Sequence, residues 1–238
     1  MPNISEVIVE IGACTELKAC MRAFSAAAGA RGIDTYACGQ VDLNQRERSV
    51  FYAIGWPDAW RKFYLQSELM NRDPVIEALR RKTAPFTWAD LRADRRMSPL
   101  GSEALRLIAG EGWTEGLAVP INVGPPWRRG LVSLVGRRGP LHEWEKFDLI
   151  ALSLCFYQKA RFLACLHGFP VPPAGLTQRE IESLRLIAGG ATDEKIGQAM
   201  RVSRATAHEF VEKARKKLGA ATRAQAIAAA VALGIVSA

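Results

Sequence analysis

The sequence predicts an α+β chain in two parts: an N-terminal α/β/α layered domain with an antiparallel sheet, and a C-terminal all-α unit of four helices. Three observations lead there. Pro170, Pro172 and Pro173 with Gly168 and Gly175 crowd residues 167–175, a run through which no helix continues. Before that run, helix-period segments interleave with strand-like ones, the pattern of a layered domain. After it, every segment has helical period. The expected boundaries are therefore 1–166 for the first domain, 167–175 for a linker and 176–238 for the second domain.

The elements follow in order. Residues 15–29 read as a helix. Residues 33–41 alternate loosely and 50–54 are rich in apolar and aromatic residues, so both read as strands. Pro57 opens a helix to about residue 67, because proline fits the first helical turn. Asp73-Pro74 opens another, with Asp73 as N-cap. Residues 100–110 read as a helix. Residues 116–123 and 130–135 read as strands of a hairpin, with Pro125-Pro126 and Arg128-Arg129 between them. A long helix covers 141–166. Beyond the linker, helices are expected at 177–189, 192–200, 203–218 and 222–234.

Composition narrows the function classes. In 238 residues, 49% hydrophobic and 24% charged content suits a globular protein with a sizeable core. The net charge of +8 makes an anionic partner plausible. Half of that excess lies after residue 175, in about a quarter of the chain. The five cysteines (Cys14, Cys20, Cys38, Cys155, Cys165) form no C-x-x-C pair, so reduced thiols are expected. The three histidines (His142, His167, His208) show no metal-ligand spacing. Neither a signal peptide nor an apolar run of membrane-spanning length is visible, so a cytoplasmic protein without membrane contact is expected. No nucleophile–base–orienter set stands out, which argues against an enzyme, and no cofactor is expected. Arg95-Arg96, Arg128-Arg129 and Arg137-Arg138 read as exposed turns.

In the second domain, Thr177 and Glu180 have capping-box spacing, and Gly189-Gly190 ends that helix. Thr192 or Asp193 caps the next helix, and Ser203 caps the third after a short turn. On that third helix Ala207, Phe210, Val211, Ala214 and Leu218 share a face suited to burial. Arg204, Ala205, His208, Glu209 and Glu212 lie on another. Two readings fit the spacing: a bundle with a solvated basic face, or a helix that enters a major groove. In the second reading Ser203 and Thr206 face the DNA, Arg204 reads guanine in bidentate fashion, His208 donates to a base edge or a phosphate, and Lys213, Arg215, Lys216 and Lys217 reach phosphates.

The pattern closely resembles the LuxR-type helix-turn-helix. It is carried by Leu176, Thr177, Arg179, Glu180, Leu184, Ala188, Gly190, Glu194, Ile196, Ser203 and Thr206. Lys217-Leu218-Gly219, Arg223, Ala226 and Gly234-Ile235 complete it. The sequence departs from the family at Phe210, where histidine is usual, and at Ala207, where valine is usual.

The first domain carries an aromatic–acid cluster. Trp60 and Tyr64 share a helix face at i,i+4, and Asp73 opens the next helix. Spacing alone fits core aromatics plus a helix cap as well as it fits a pocket. Trp60, Tyr64, Asp73, Pro74, Trp88 and Gly116 together resemble the acyl-homoserine-lactone-binding domain of LuxR-family quorum-sensing regulators. The resemblance implies that Trp60 donates to the lactone carbonyl, that Asp73 accepts from the amide N–H, and that Tyr64 and Ser133 reach the amide carbonyl. It places Trp88 on the lactone ring. Trp56, Tyr52, Phe63, Val75, Ile76 and Phe86 are candidate neighbours of the acyl tail, whose bulk favours a short, branched or aryl group. The implied partners are an N-acyl-homoserine lactone autoinducer, double-stranded DNA with a palindromic site, a second copy of the chain, and RNA polymerase. Sensing of a different small molecule, or of none, and hydrolysis of an acyl amide or lactone are the rival readings.

Overall fold

The computed structural model describes residues 3–67, 69–123, 127–166, 176–232 and 236. The chain divides into two compact units, Met1–Asn122 with Trp127–Phe169, and Pro170–Ala238 with Val123–Pro126. The expected linker, 167–175, and the tip of the expected hairpin, 124–126, lie outside the described residues.

The first unit runs α1 (Ile4–Ala13), α2 (Leu17–Gly29), β1 (Thr35–Asp42), β2 (Val50–Ile54), α3 (Asp58–Gln66), α4 (Pro74–Ala78), β3 (Phe86–Thr87), α5 (Trp88–Ala93), α6 (Pro99–Gly110), β4 (Glu115–Asn122), β5 (Arg128–Gly136) and α7 (Glu143–Leu166). The strands form one sheet in the order β2-β1-β5-β4-β3, every neighbour antiparallel. β1 is buried at every residue, because helices cover both faces of the sheet.

On one face α7 packs with α1 and α2. Phe24 of α2 stacks on Phe156 of α7 at 4.0 Å, and Tyr36 of β1 meets both edge-on, which ties the two helices to the sheet. On the other face Val41, Ala118, Leu131 and Val135 of the sheet join Trp60, Tyr64, Val75, Ile76, Trp88, Leu91 and Leu105 of the α3–α6 layer in one core. The α/β/α layering is thus as the sequence predicts.

Three elements are not expected from the sequence. α1 is capped by Asn3, whose side chain accepts from Ser5 N at 3.0 Å. β3 is only two residues long, too short for alternation to register. α5 is announced by Thr87 and Asp90, a reciprocal capping box of the same kind as Thr177 and Glu180. Arg128 is not in an exposed turn: β5 starts there, and the side chain is buried opposite Asp42, with Nε 3.4 Å from Asp42 Oδ2.

The second unit contains α8 (Gln178–Ala188), α9 (Asp193–Met200), α10 (Arg204–Lys217) and α11 (Arg223–Ala232). Thr177, Thr192 and Ser203 cap the first three with their side-chain oxygens. The α9–α10 turn is tight. Arg201 takes a left-handed φ of 54° to end α9, and a Cβ on Gly197 would lie 2.9 Å from the Val202 carbonyl oxygen. Leu184, Ala214, Leu218, Ala226 and Ala230 form one small core, and Ile187, Ile196, Met200, Ala207 and Val211 a second. Phe210 packs at the edge of the latter, half-buried rather than fully buried.

Candidate ligand pocket and nucleic-acid interface

In the first unit α3 and α4 bring the sequence-predicted polar groups together. Asp73 Oδ1 accepts from the N–H groups of Val75 at 2.8 Å and Ile76 at 3.2 Å, so the residue caps α4. Its Oδ2 accepts from the Tyr64 hydroxyl at 2.7 Å. Burial pushes the Asp73 carboxyl above its usual range, against those hydrogen bonds and the nearby Arg46 guanidinium. Burial, and then the Asp73 charge, push the Tyr64 phenol well above its ordinary value.

Aromatic side chains enclose this pair. Trp56 tilts against Tyr64 at 4.6 Å between ring centroids, and Phe51 meets Trp56 at 5.8 Å. Trp60 is buried and meets Trp113 edge-on at 5.2 Å. Trp88 is buried against Gly116, where a Cβ would come within 2.5 Å of the indole, so the glycine makes room for the ring. The indole N–H groups of Trp88 and Trp113 are both buried without a hydrogen-bond acceptor. Ser133 lies on β5 between Leu131 and Val135, on the same face as that pair, and is half-buried. Val75 and Phe86 belong to the same core.

Two tail candidates lie elsewhere. Tyr52 faces α7: its hydroxyl donates to Gln40 Oε1 at 3.0 Å and its ring meets Tyr157 at 5.8 Å. Adjacent strand residues face opposite ways, so Phe51, which packs against the pocket core, takes the place expected of Tyr52. Phe63 is exposed beside Trp60, with ring centroids 5.4 Å apart. Sequence reasoning missed Phe51, Trp113 and Arg46. Burial and the neighbouring Arg80 guanidinium hold Arg46 below its usual value. Arg46 Nη1 donates to the Asp42 carbonyl at 3.4 Å, and Arg80 Nη2 donates to the Leu43 carbonyl.

The second unit sorts the expected DNA-facing residues. Ser203 Oγ accepts from Thr206 N at 3.1 Å and contacts the Thr206 hydroxyl at 2.8 Å. Arg204, His208, Lys213 and Lys216 are exposed along α10. Arg204 lies 3.9 Å from Glu194, and Lys213 pairs with Glu209 at 3.2 Å. Arg215 and Lys217 are engaged inside the unit. Arg215 grips Glu212 at 2.7 Å and donates to the carbonyls of Ala220 at 2.7 Å and Ala221 at 3.2 Å. Lys217 Nζ donates to the buried Glu180 at 2.8 Å. Glu180 also accepts from Thr177 N at 2.7 Å, and despite its burial these partners hold its carboxyl below the usual range.

Fold and site together define a DNA-binding regulator with a ligand-sensing unit. Residues 16–160 match the autoinducer binding domain family, and residues 174–230 match the family described as bacterial regulatory proteins, luxR family. The chain belongs to the LuxR family of autoinducer-binding, helix-turn-helix transcriptional regulators, a family of regulators and not of enzymes. It is 29% identical to the transcriptional activator protein BjaR1 of Bradyrhizobium diazoefficiens over 95% of this chain and 93% of that protein. It is 28% identical to the quorum sensing-dependent regulator RpaR of Rhodopseudomonas palustris over 77% and 74%. The fold matches Escherichia coli SdiA with a TM-score of 0.65 at 16% identity, covering 98% of this chain and 97% of that one. Among the described residues no helix is long and apolar enough to cross a membrane.

Proposed function

We propose that the first unit binds an N-acyl-homoserine lactone among Trp60, Tyr64, Asp73, Trp88 and Ser133, and that a homodimer carries two copies of α10 to a palindromic promoter site. The observation that carries the ligand reading is the partly buried Tyr64–Asp73 pair, set in an aromatic shell with two buried indole N–H groups that lack acceptors. Buried polar groups without partners are costly. An acylated lactone brings an amide N–H for the carboxylate and carbonyl oxygens that the Trp60 indole and these two buried N–H groups can donate to. Phe86 belongs to the same core and Trp56 and Phe51 pack against it, and their bulk supports a short, branched or aryl acyl group. One solved relative of the fold is SdiA in complex with octanoyl-rac-glycerol, and another, CepR2 of Burkholderia cenocepacia, is described as N-acylhomoserine lactone dependent.

The dimer reading rests on α7. Trp144, Phe147, Leu154, Phe162 and Leu166 are exposed along that helix, Phe147 to 71%, and a second copy would cover them. RNA polymerase is the further partner such a regulator acts on.

Trp60→Phe and Asp73→Asn test the pocket. Each is expected to weaken ligand-dependent DNA binding roughly 10- to 100-fold, the worth of one charged or buried hydrogen bond. An undiminished ligand response in both would remove the assignment.

A further inference from the structure

One exposed side chain of α10 is held by a carboxylate from a different helix. His208 Nδ1 lies 2.9 Å from Asp193 Oδ2, and the His208 side chain is 59% exposed. The other oxygen of Asp193 accepts from Arg223 Nη1 at 2.6 Å, and Arg223 Nη2 donates to the Ala191 carbonyl at 3.3 Å. Asp193 is the first residue of α9, His208 stands in the second turn of α10 and Arg223 opens α11, so three helices meet on one carboxylate.

The chemistry of this contact fixes more than a position. An ionised carboxylate only accepts, so the imidazole nitrogen facing it carries the proton. With Nδ1 protonated in a neutral ring, Nε2 has a free lone pair. Among the described residues Nε2 has no partner. In a major groove the complement of such an acceptor is an exocyclic amino group, N6 of adenine or N4 of cytosine. Without the carboxylate the ring is free to place its proton on either nitrogen, so Nε2 presents an acceptor in one tautomer and a donor in the other.

We infer that Asp193 is a positioning residue for DNA readout: it orients His208 and holds it as the Nδ1–H tautomer, so that Nε2 meets the duplex as an acceptor for an adenine or cytosine amino group. Arg223 keeps the carboxylate in place. The inference rests on α10 as the base-reading helix.

The test selects binding sequences from a random duplex pool with the full chain, in the presence of mixed acyl-homoserine lactones. The wild type, His208→Ala, Asp193→Ala, Asp193→Asn and the His208→Ala/Asp193→Ala double variant are compared. The wild type is expected to prefer adenine or cytosine at one position per half-site. His208→Ala should reduce that preference by about tenfold, the worth of a good base contact, and Asp193→Ala should do the same. The double variant should be no worse than His208→Ala alone. A second readout is the ¹⁵N spectrum of the His208 ring in the free protein, which should show the Nδ1–H tautomer in the wild type and a mixture in Asp193→Asn. That spectrum does not depend on DNA affinity.

Loss of preference in His208→Ala but not in Asp193→Ala, or an Nε2–H ring in the wild type, would overturn the inference and leave the His208 base contact standing. Unchanged preference in His208→Ala would overturn the base contact and the inference together. A purely structural Asp193 would weaken binding to every sequence equally and would add its loss in the His208→Ala background.

Discussion

The Tyr64 hydroxyl donates to Asp73 at 2.7 Å while the same carboxylate caps α4, so one side chain serves both the fold and the site. Burial raises the Asp73 carboxyl above its usual value. A group whose folded pKa is raised contributes its stability fully below its unfolded pKa and loses it as pH rises through the folded one. The unliganded protein is therefore expected to lose stability as pH climbs from about 4 through the raised Asp73 value. Asp73→Asn should flatten that slope, since asparagine also caps helices well. Thermal melts across this range check it; an identical slope in the variant would exclude Asp73 as the cause.

Gly116 and Trp88 form a matched pair. A methyl group at residue 116 would come within 2.5 Å of the indole. Gly116→Ala should destabilise the first unit by about 1–3 kcal/mol, the usual cost of overpacking, and should weaken ligand binding by displacing the ring. Denaturant unfolding and ligand titration measure the two effects. A variant as stable and as responsive as the wild type would show that Trp88 has room to move.

Glu180 links α8 to α10 through Lys217 and closes its own capping box. Its carboxyl is depressed, so its contribution is present above the unfolded pKa and is lost as pH falls through the folded value. The helix-turn-helix unit is expected to lose stability in acid, below the usual glutamate range. Glu180→Ala should cost about 1–3 kcal/mol at neutral pH, the penalty for removing a partner of buried hydrogen bonds. Acid unfolding followed by circular dichroism checks this, and equal acid sensitivity in Glu180→Ala would contradict it.

The basic residues at the end of α10 divide by role. Lys216→Ala should weaken binding to all DNA sequences alike and make the salt slope shallower by about 0.9, the value of one neutralised phosphate on B-DNA. Arg215→Ala should instead lower the melting temperature, because Arg215 holds Glu212 and the Ala220 and Ala221 carbonyls. Binding isotherms at several salt concentrations, beside melting curves, separate the two. A stable Arg215→Ala protein with a reduced salt slope would reverse the assignment.

Much of this was legible in the residues. The caps Thr177, Thr192 and Ser203 and the Asp73-Pro74 start are local signals, and the structure uses each of them. What escaped the sequence depended on partners distant along the chain. Trp113 joins the core around Trp60 only because α6 and β4 return to α3, and Arg46 nears Asp73 only because the loop after β1 reaches it. Tyr52 turns toward α7 and not toward the Tyr64 core, a choice that a five-residue strand does not reveal by itself. Arg128 read as a turn residue because its partner Asp42 is 86 residues away. The sequence does not place Ala220 beside Arg215, or Glu180 beside Lys217, because those contacts depend on how the chain folds.

The most direct measurement is of what the protein carries. The chain is expressed with and without a mixed pool of acyl-homoserine lactones, and small molecules extracted from the purified protein are identified by mass spectrometry. One lactone is expected at stoichiometric amount, with a short, branched or aryl acyl group, and it should be lost in Asp73→Asn. Well-folded protein that binds DNA but retains no lactone from the pool would contradict the ligand assignment.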